Sequence, residues 1–333
     1  MGYGGYSSDA HAAITRTRSV KTDAQIFEQT GKGADSRMDP KGLKFRESRD
    51  SATHPRALPI VFCLDQTGSM NHIPKDMART SLPTFMQSIL DLGVEDPQVL
   101  FVAVGDMTHR ERAPVQIGQF EAEAQLMDQW LTLVDLVGQG GGNGGESYEL
   151  AAYTIARHTR HDHFEKRGLK GYVFMTGDDA AFPEVRADQV RALLGDDLRE
   201  NIRTEEIFRE LREKYEVFFI IPAGHENYTA AGWRTILGDH VIQAEGTKED
   251  ASMICSLAAA IVALNEGKVA DLAALAKNYA AEGMDRKRVS DIVRALTPFA
   301  ETLQRAGVPD PVMTEVDLQQ TGRGTREQTR GLS

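Results

Sequence analysis

One segment constrains the fold more than any other, the apolar run that begins at Leu58 and ends at Asp65. It has the length and the β-branched content of a strand that is buried on both faces in a parallel sheet. Thr67 and Ser69 follow at alternating positions, with Gly68 between them. Ligands bind at the carboxyl ends of strands in open α/β sheets, so these polar side chains are candidate binding residues.

The residue types in this segment favour a small divalent cation as the ligand. One carboxylate and two hydroxyls offer hard oxygen donors that converge on one point. Mg²⁺ prefers such donors, takes few protein ligands and keeps several of its waters. The sequence therefore predicts a site for Mg²⁺, or for Mn²⁺ or Ca²⁺, that includes Asp65, Thr67 and Ser69.

The rest of the chain alternates strand-like and helix-like segments. Further strands are predicted at 98–105, 115–120, 172–175, 217–221 and 241–242. Helices are predicted at 77–90, 121–137, 146–156, 229–237 and 250–264, with two more within 184–213. Pro83 should kink or split the first of these helices. The alternation predicts an α/β fold with a doubly wound, mostly parallel sheet flanked by helices.

Two further segments place oxygen donors at predicted strand ends. A glycine-rich loop at 138–145 contains Asn143 and runs into Glu146 at the start of a helix. Asp178 follows a later buried strand. The carboxyl ends of parallel strands lie at one edge of a sheet, so we expect these residues to meet Asp65 although they are far apart in the chain.

These motifs resemble those of a known family. Asp65-Gln-Thr-Gly-Ser69 after an apolar strand resembles the Asp-x-Ser/Thr-x-Ser motif of von Willebrand factor A (VWA) domains, which forms a metal-ion-dependent adhesion site. Phe174-Met-Thr-Gly-Asp178 is similar to a later signature of the family. Val102-Ala-Val-Gly-Asp106 and Gly140-Gly-Gly-Asn-Gly-Gly-Glu146 are similar to a subset that includes many bacterial proteins and the A domain of some alpha-kinase-type proteins. The resemblance covers residues 58–265.

In that family three loops supply the metal ligands. The resemblance implies a ligand set of Asp65, Thr67, Ser69, Asn143, Glu146 and Asp178. The subset usually has Asp in place of Asn143 and Pro in place of Gly145. An Asn can still bind through its carbonyl oxygen, but the site then loses a charge. Which of Asn143, Glu146 and Ser147 reaches the metal, directly or through water, therefore stays open.

The resemblance also implies a function. A cation with few charged ligands keeps water in its remaining positions, and an Asp or Glu of a protein partner can displace one of those waters. This describes a non-enzymatic, metal-dependent protein–protein interaction module. Bacterial proteins with this domain often act as adaptors for MoxR-type AAA+ ATPases, so an AAA+ ATPase is an expected partner. The chain has no Walker A pattern and is not itself the motor.

Each motif also has a structural interpretation. The motif at 65–69 could cap the following helix, Asp178 could cap the next one, and the glycine loop could be a hinge. We expect Asp106 to support the site rather than to bind the metal. The spacing of the histidines suggests no zinc site. The histidines considered are His72, His109, His161 and His163.

Two other functions stay open. Asp65 faintly resembles the nucleophile of haloacid dehalogenase-type enzymes, which would make the chain a Mg²⁺-dependent phosphohydrolase, but those enzymes need a second Asp where this chain has Thr67. A self-assembling structural protein is the other alternative. Residues 1–57 contain ten Lys or Arg and seven Asp or Glu, a net charge of +3 that leaves −14 for the remainder. This segment could pack on an acidic surface of its own chain or of another copy, or stay a solvated arm.

The chain divides into four predicted parts. They are an extended N-terminal arm at 1–57, a VWA-like domain at 58–265, C-terminal helices at 266–306 that separate near Gly283, and a mobile tail at 307–333.

The composition argues against several classes of protein. A formal net charge of −11 disfavours nonspecific nucleic-acid binding, which needs a positive field. The chain shows no signal-peptide pattern and no apolar run long enough to cross a bilayer. Cys63 and Cys255 each lie in an apolar run and are expected to be buried thiols. The sequence therefore predicts a cytoplasmic protein that binds neither nucleic acid nor membrane.

Overall fold

The structure is a computed structural model that describes residues 5–70, 72–109, 112–136, 144–225, 229–246 and 250–306. The strands in these ranges are β1 (Arg46–Ser48), β2 (Leu58–Asp65), β3 (Pro97–Val104), β4 (Val115–Ile117), β5 (Thr159–His161), β6 (Gly171–Thr176), β7 (Glu184–Val185), β8 (Ile202–Arg203), β9 (Tyr215–Ile221) and β10 (Val241–Gln243).

The helices of the same ranges connect and cover these strands. They are α1 (Ser8–Ser19), α2 (Asp23–Ile26), α3 (His72–Asp76), α4 (Leu82–Asp91), α5 (Ala124–Thr132), α6 (Tyr148–His158), α7 (Asp162–Glu165), α8 (Ala187–Leu193), α9 (Thr204–Lys214), α10 (Ala230–Leu237), α11 (Ala251–Asn265), α12 (Leu272–Ala281) and α13 (Arg286–Ala306). A π-helical turn at Met77–Ser81 joins α3 to α4, and a 3-10 turn at Gly238–His240 follows α10.

A six-stranded sheet forms the centre, in the order β10-β9-β6-β2-β3-β4. Every neighbouring pair is parallel except β3 and β4, which are antiparallel. In register, Phe62 of β2 lies opposite Phe101 of β3 and Phe174 of β6. After β2 the chain builds one side of the sheet with β3 and β4, and then returns to build the other side with β6, β9 and β10. The strand order therefore reverses between β2 and β6, which makes the carboxyl ends of these two strands the topological switch point.

The sheet is buried on both faces. All eight residues of β2 are buried, and their side chains alternate between two apolar clusters. Phe62 lies in the cluster that contains α4 and α11 residues, whereas Cys63 lies in the cluster that contains α6 and α9 residues. Cys255 is a buried thiol on the first of these faces. This arrangement confirms an α/β architecture with a mostly parallel sheet flanked by helices, consistent with a Rossmann-like fold.

Local sequence signals account for the main elements. All six central strands form where the apolar runs predict them, within a few residues at each end. The helix expected at 77–90 is split, as Pro83 predicts. Pro83 lies in the first turn of α4, where a missing N–H is tolerated, and the turn before it is π-helical, with the Leu82 N–H bonded to the Met77 carbonyl. The short pairs β1–β5 and β7–β8 were not predicted.

The N-terminal segment lies against its own chain. Arg18 of α1 forms a 2.5 Å ion pair with Asp128 of α5. The buried Asp135 carboxylate accepts hydrogen bonds from the backbone N–H groups of Gly31, at 2.5 Å, and Gly33, at 2.8 Å. Strand β1 adds a parallel pairing to β5. Between 5 and 57 the described chain thus contains short packed elements, and the four-part domain division stays a prediction.

The C-terminal helices cover α11. Two helices form here, as predicted, and Gly283 between them adopts a positive φ of 84° that a side chain would disfavour. Ile292, Leu296 and Phe299 of α13 are buried in the same cluster as α11. The predicted tail at 307–333 lies outside the described residues. Among the described residues, no helix combines the length and the apolar character needed to cross a membrane.

Candidate functional site

Polar side chains converge at the switch point between β2 and β6. Asp65 is the last residue of β2, and Gly177 and Asp178 directly follow β6. Tyr148 is the first residue of α6, and Glu146 lies two residues before it. We refer to these five residues and the place where they meet as the crevice. Its position is the one at which open α/β sheets bind their ligands.

Asp65 is a carboxylate of the crevice with no exposed surface. Its Oδ1 accepts hydrogen bonds from the Thr67 backbone N–H at 2.7 Å and from the Thr67 hydroxyl at 2.6 Å. Its Oδ2 accepts a 2.5 Å hydrogen bond from the Tyr148 hydroxyl. Burial raises the pKa of Asp65 to about 6 against the opposing effect of these hydrogen bonds, and the charge of Asp178 adds to the rise. The Asp65 carboxylate is therefore held in place by two hydroxyl groups.

Gly177 lets these groups approach the chain after β6. A Cβ atom built at this position would lie 1.7 Å from the Tyr148 hydroxyl oxygen and 3.1 Å from Asp65 Oδ2. Real Cβ atoms do not approach other atoms so closely, so any side chain here would displace the phenol. The glycine at the end of β6 is thus a requirement of the Tyr148–Asp65 pair.

The start of α6 is anchored on both of its sides. The Glu146 backbone N–H donates to the Ala180 carbonyl at 2.9 Å, which ties it to the segment after β6. The Ser147 backbone N–H donates to the Gly105 carbonyl at 3.0 Å, and the Ser147 hydroxyl oxygen accepts from the Met107 backbone N–H at 2.9 Å. The Glu146 side chain is fully buried, and its charge is one of the groups that raise the pKa of Tyr148. Ser147 therefore faces the end of β3, whereas Glu146 lies with the crevice.

Asp178 presents a carboxylate with one bonded and one unbonded oxygen. Its Oδ2 lies 3.0 Å from Nδ1 of His225, which follows β9. Its Oδ1 is buried and has no hydrogen-bond partner among the residues that the structure describes. The side chain is 13% exposed, so it lies at the mouth of the crevice. A buried carboxylate oxygen without a partner costs free energy unless a ligand or water satisfies it.

A second acidic group lies beside the crevice, on the β3 side. The buried Asp106 carboxylate accepts from the Thr108 backbone N–H at 2.7 Å and contacts His109. Glu149 is fully buried, and its Oε2 accepts from the Phe182 backbone N–H at 3.2 Å, while its Oε1 has no hydrogen-bond partner within the described ranges. Burial raises the pKa of Glu149 to about 8, and the charge of Asp106 contributes. Two further buried acidic side chains therefore lie on the β3 side of the crevice.

The donor set fits a small divalent cation. Asp65, Thr67, Glu146 and Asp178 offer hard oxygens, and the unbonded Oδ1 of Asp178 is an acceptor in need of a cation or a proton donor. The described ranges hold no group of three or more His, Cys, Asp or Glu side chains that could hold a metal by themselves. A cation here would thus depend on hydroxyl groups and water as well as on carboxylates.

The structure brings four of the six predicted ligands to one place. Asp65, Thr67, Glu146 and Asp178 lie at or beside the crevice. Ser69 is exposed in the turn after Thr67. Asn143 lies outside the described residues.

Neither Asp65 nor Asp178 is the residue directly before a helix in the described ranges. Helix α3 begins at His72, several residues after Asp65, and the residue before α8 is Arg186 rather than Asp178. Asp65 instead closes its own two-residue turn with Thr67. The hinge interpretation of the glycine loop concerns residues that are mostly outside the described ranges.

Three residues at or beside the crevice are not among the ligands that the sequence predicts. The sequence predicts Tyr148 only as part of a helix, although it follows Glu146 by two residues and carries a hydroxyl. Gly177 was recognised only as part of a motif, and its role depends on a contact from a distant helix. His225 follows the predicted strand at 217–221. Its position after a strand could have marked it as a candidate, because Asp65 and Asp178 also lie at strand ends.

Comparisons with known proteins do not assign a family. No protein-family model matches the chain, and no curated protein sequence matches it. Similar solved structures include proximal thread matrix protein 1 from the mussel byssus, with 11% identity, a TM-score of 0.39, and coverage of 62% of this chain and 47% of that chain. The pilus adhesin SpaC from Lactobacillus rhamnosus GG has 14% identity, a TM-score of 0.40, and coverage of 68% and 31%. An aerotolerance-related membrane protein from Bacteroides fragilis NCTC 9343 has 13% identity, a TM-score of 0.26, and coverage of 54% and 96%.

The chain thus spans less than half the length of the first two proteins. Similarity at these TM-scores carries no argument about family or function.

Proposed function

We propose that the crevice is a metal-dependent protein-binding site of the VWA type, which holds a divalent cation, Mg²⁺ first among the candidates, and through it a carboxylate of a protein partner. The observation that carries this proposal is the buried Oδ1 of Asp178, which has no hydrogen-bond partner within the described ranges, beside the fully buried Asp65 at the switch point of the sheet. A bound cation would supply an open coordination position that the carboxylate of the partner completes.

The residues of the crevice have separate tasks in this proposal. Asp65 is held by Thr67 and Tyr148, so its orientation is fixed before any ligand arrives. Asp178 lies at the mouth, where it can contact both a cation and solvent. Two carboxylates so near to each other repel, and a cation between them would relieve that repulsion. These features support a cation site that the carboxylate of a partner could complete.

A binding role suits the crevice better than a catalytic one. Both oxygens of the Asp65 carboxylate already accept hydrogen bonds, and the side chain has no exposed surface from which a nucleophile could attack a substrate. We therefore propose a non-enzymatic adaptor, with an AAA+ ATPase among the candidate partners. The phosphohydrolase alternative would be favoured by hydrolysis of a generic aryl phosphate that needs Mg²⁺ and is lost on Asp65→Asn.

The test is cation binding by calorimetry with Mg²⁺ and Mn²⁺, on the wild type and on Asp178→Asn. The matched control is Asp197→Asn, because the Asp197 side chain is 88% exposed and lies outside the crevice. We expect the wild type and the control to bind alike, and Asp178→Asn to bind roughly 10- to 100-fold more weakly.

A pulldown with and without a chelator then tests the partner. Chelator-sensitive capture of a protein by the wild type, and its loss in Asp178→Asn, is the expected result. A wild type that binds neither cation would contradict the proposal.

A further inference from the structure

We infer that Tyr148 supplies the hydroxyl that the loop before α6 contributes to the crevice, and that its phenol oxygen contacts the cation or a water that the cation holds. This inference rests on the proposed function and names a ligand that the sequence motifs do not include. It adds Tyr148 to the residues after the glycine loop, Glu146 and Ser147, that could reach the metal.

The position of the Tyr148 hydroxyl is the first argument. It lies 2.5 Å from Asp65 Oδ2 and has no exposed surface. A hydroxyl has one proton to donate and two lone pairs with which to accept. Its proton is directed to Asp65, so the lone pairs remain for a cation or a bound water. The phenol can therefore orient Asp65 and act as a neutral oxygen donor at the same time.

The second argument is that the phenol cannot move away. Its ring packs edge-to-face against Phe219 and against Trp233, each with centroids 5.4 Å apart. The backbone of Gly177 closes the space on a third side, since a Cβ atom there would overlap the hydroxyl. Trp233 is itself fixed by a 2.9 Å hydrogen bond from its Nε1 to the Asp179 carbonyl. The hydroxyl is thus held rigidly before any ligand binds, which is the property of an effective ligand.

The third argument concerns the neighbouring residues of the same loop. The Ser147 hydroxyl oxygen accepts from the Met107 backbone N–H, so Ser147 faces the end of β3 rather than the crevice. Tyr148 follows Ser147 directly, and its hydroxyl instead reaches Asp65 Oδ2. Of these two neighbouring side chains, it is therefore Tyr148 that lies against a proposed ligand. A phenol that donates its proton to Asp65 is a neutral oxygen donor, which limits the total negative charge on the cation.

The experiment removes only the oxygen atom. Mn²⁺ binding is measured by calorimetry on the wild type, on Tyr148→Phe and on the matched control Tyr153→Phe. Tyr153 lies on the same helix, is buried, and donates a 3.0 Å hydrogen bond to Asp196, away from the crevice. We expect Tyr148→Phe to weaken Mn²⁺ binding roughly 10- to 100-fold and Tyr153→Phe to leave it unchanged. Far-ultraviolet circular dichroism checks that both variants fold.

A second measurement needs no variant. The ultraviolet difference spectrum of the wild type is recorded during Mn²⁺ titration, because a cation at the phenol oxygen perturbs tyrosine absorption. A difference spectrum that saturates with the calorimetric binding curve is the expected result. Binding of Mn²⁺ with no change in tyrosine absorption would overturn the inference even if Tyr148→Phe failed to fold.

The outcomes separate this inference from the proposed function. If the wild type binds Mn²⁺ and folded Tyr148→Phe binds it as tightly, the role of Tyr148 is wrong and the metal site stands. If the wild type binds no cation, the proposed function is wrong and the inference is wrong with it.

Discussion

The Tyr148 hydroxyl lies 2.5 Å from Asp65 Oδ2, and this hydrogen bond joins the first residue of α6 to the last residue of β2. Both groups are fully buried, so the bond forms where water cannot replace it. The start of a helix on one face of the sheet is thereby fixed to the switch point.

Gly177→Ala should destabilise the protein, by about 1–3 kcal/mol or more, because the added Cβ would overlap the Tyr148 hydroxyl. The measurement is the free energy of unfolding in urea. Gly232→Ala is the matched control, since Gly232 lies exposed in α10 with no atom near the position of a Cβ. That control should be stabilised by about 0.5–1 kcal/mol. Equal stability of Gly177→Ala and the wild type would show that the phenol is not held there.

Glu149→Gln should change how stability depends on pH. Burial raises the pKa of Glu149 to about 8, from a usual value of 4.5. Between these pH values the unfolded chain has lost its proton and the folded chain keeps it, so this residue makes the wild type less stable as the pH rises from about 4.5 to about 8. The neutral amide removes that loss. We therefore expect the free energy of unfolding of Glu149→Gln, taken relative to that of the wild type, to be higher at pH 8 than at pH 5.

Urea unfolding at several pH values, with the exposed Glu206→Gln as the control, measures the effect of Glu149→Gln. The control should track the wild type at every pH. A constant difference between Glu149→Gln and the wild type would mean that Glu149 is ionised in the folded protein.

Asp135→Ala should loosen the N-terminal segment. Its buried carboxylate accepts the backbone N–H groups of Gly31 and Gly33, and truncation leaves both donors without it, at a cost of about 1–3 kcal/mol for each that water cannot reach. Faster hydrogen exchange and faster limited proteolysis within residues 20–45 are the expected results. The control is Asp39→Ala in the same segment, whose exposed carboxylate accepts from the nearby Lys41 N–H. Protection that survives Asp135→Ala would mean that other contacts hold the segment.

His163→Gln should reduce the loss of stability in acid. Burial, with the charges of Arg167 and Arg56, lowers the pKa of His163 to about 4 from 6.5. Below pH 6.5 His163 is protonated in the unfolded chain but stays neutral in the folded chain. The free energy of unfolding therefore falls as the pH falls from about 6.5 to about 4. Gln does not titrate and removes this contribution. The urea midpoints at pH 5 and pH 7 should therefore lie closer together in the variant, and an unchanged gap would contradict the prediction.

The strands and half of the site could be predicted from local patterns. β2, β3, β6 and β9 lie at the buried centre of the sheet, so each contains an apolar run in the sequence. Asp65 and Asp178 come at the ends of two of these runs and lie at the carboxyl edge. Asp65 and Asp178 could be paired because parallel strands end at one edge. The short strands β7 and β8 have two residues each and contain no apolar run, so no hydrophobic pattern in the sequence predicts them.

The amino-acid sequence by itself determined the α/β class, the main strands, the split helix at Pro83 and the acidic character of the sheet edge, because each follows from the order of apolar and polar residues along the chain. Only the tertiary structure decided that Tyr148 reaches Asp65, that Gly177 must lack a side chain and that His225 meets Asp178. These contacts join residues on different elements, and their existence depends on strand order and on helix position to within an ångström or two. The local order of apolar and polar residues does not specify positions that finely, so only the packing of the elements brings the residues of the crevice together.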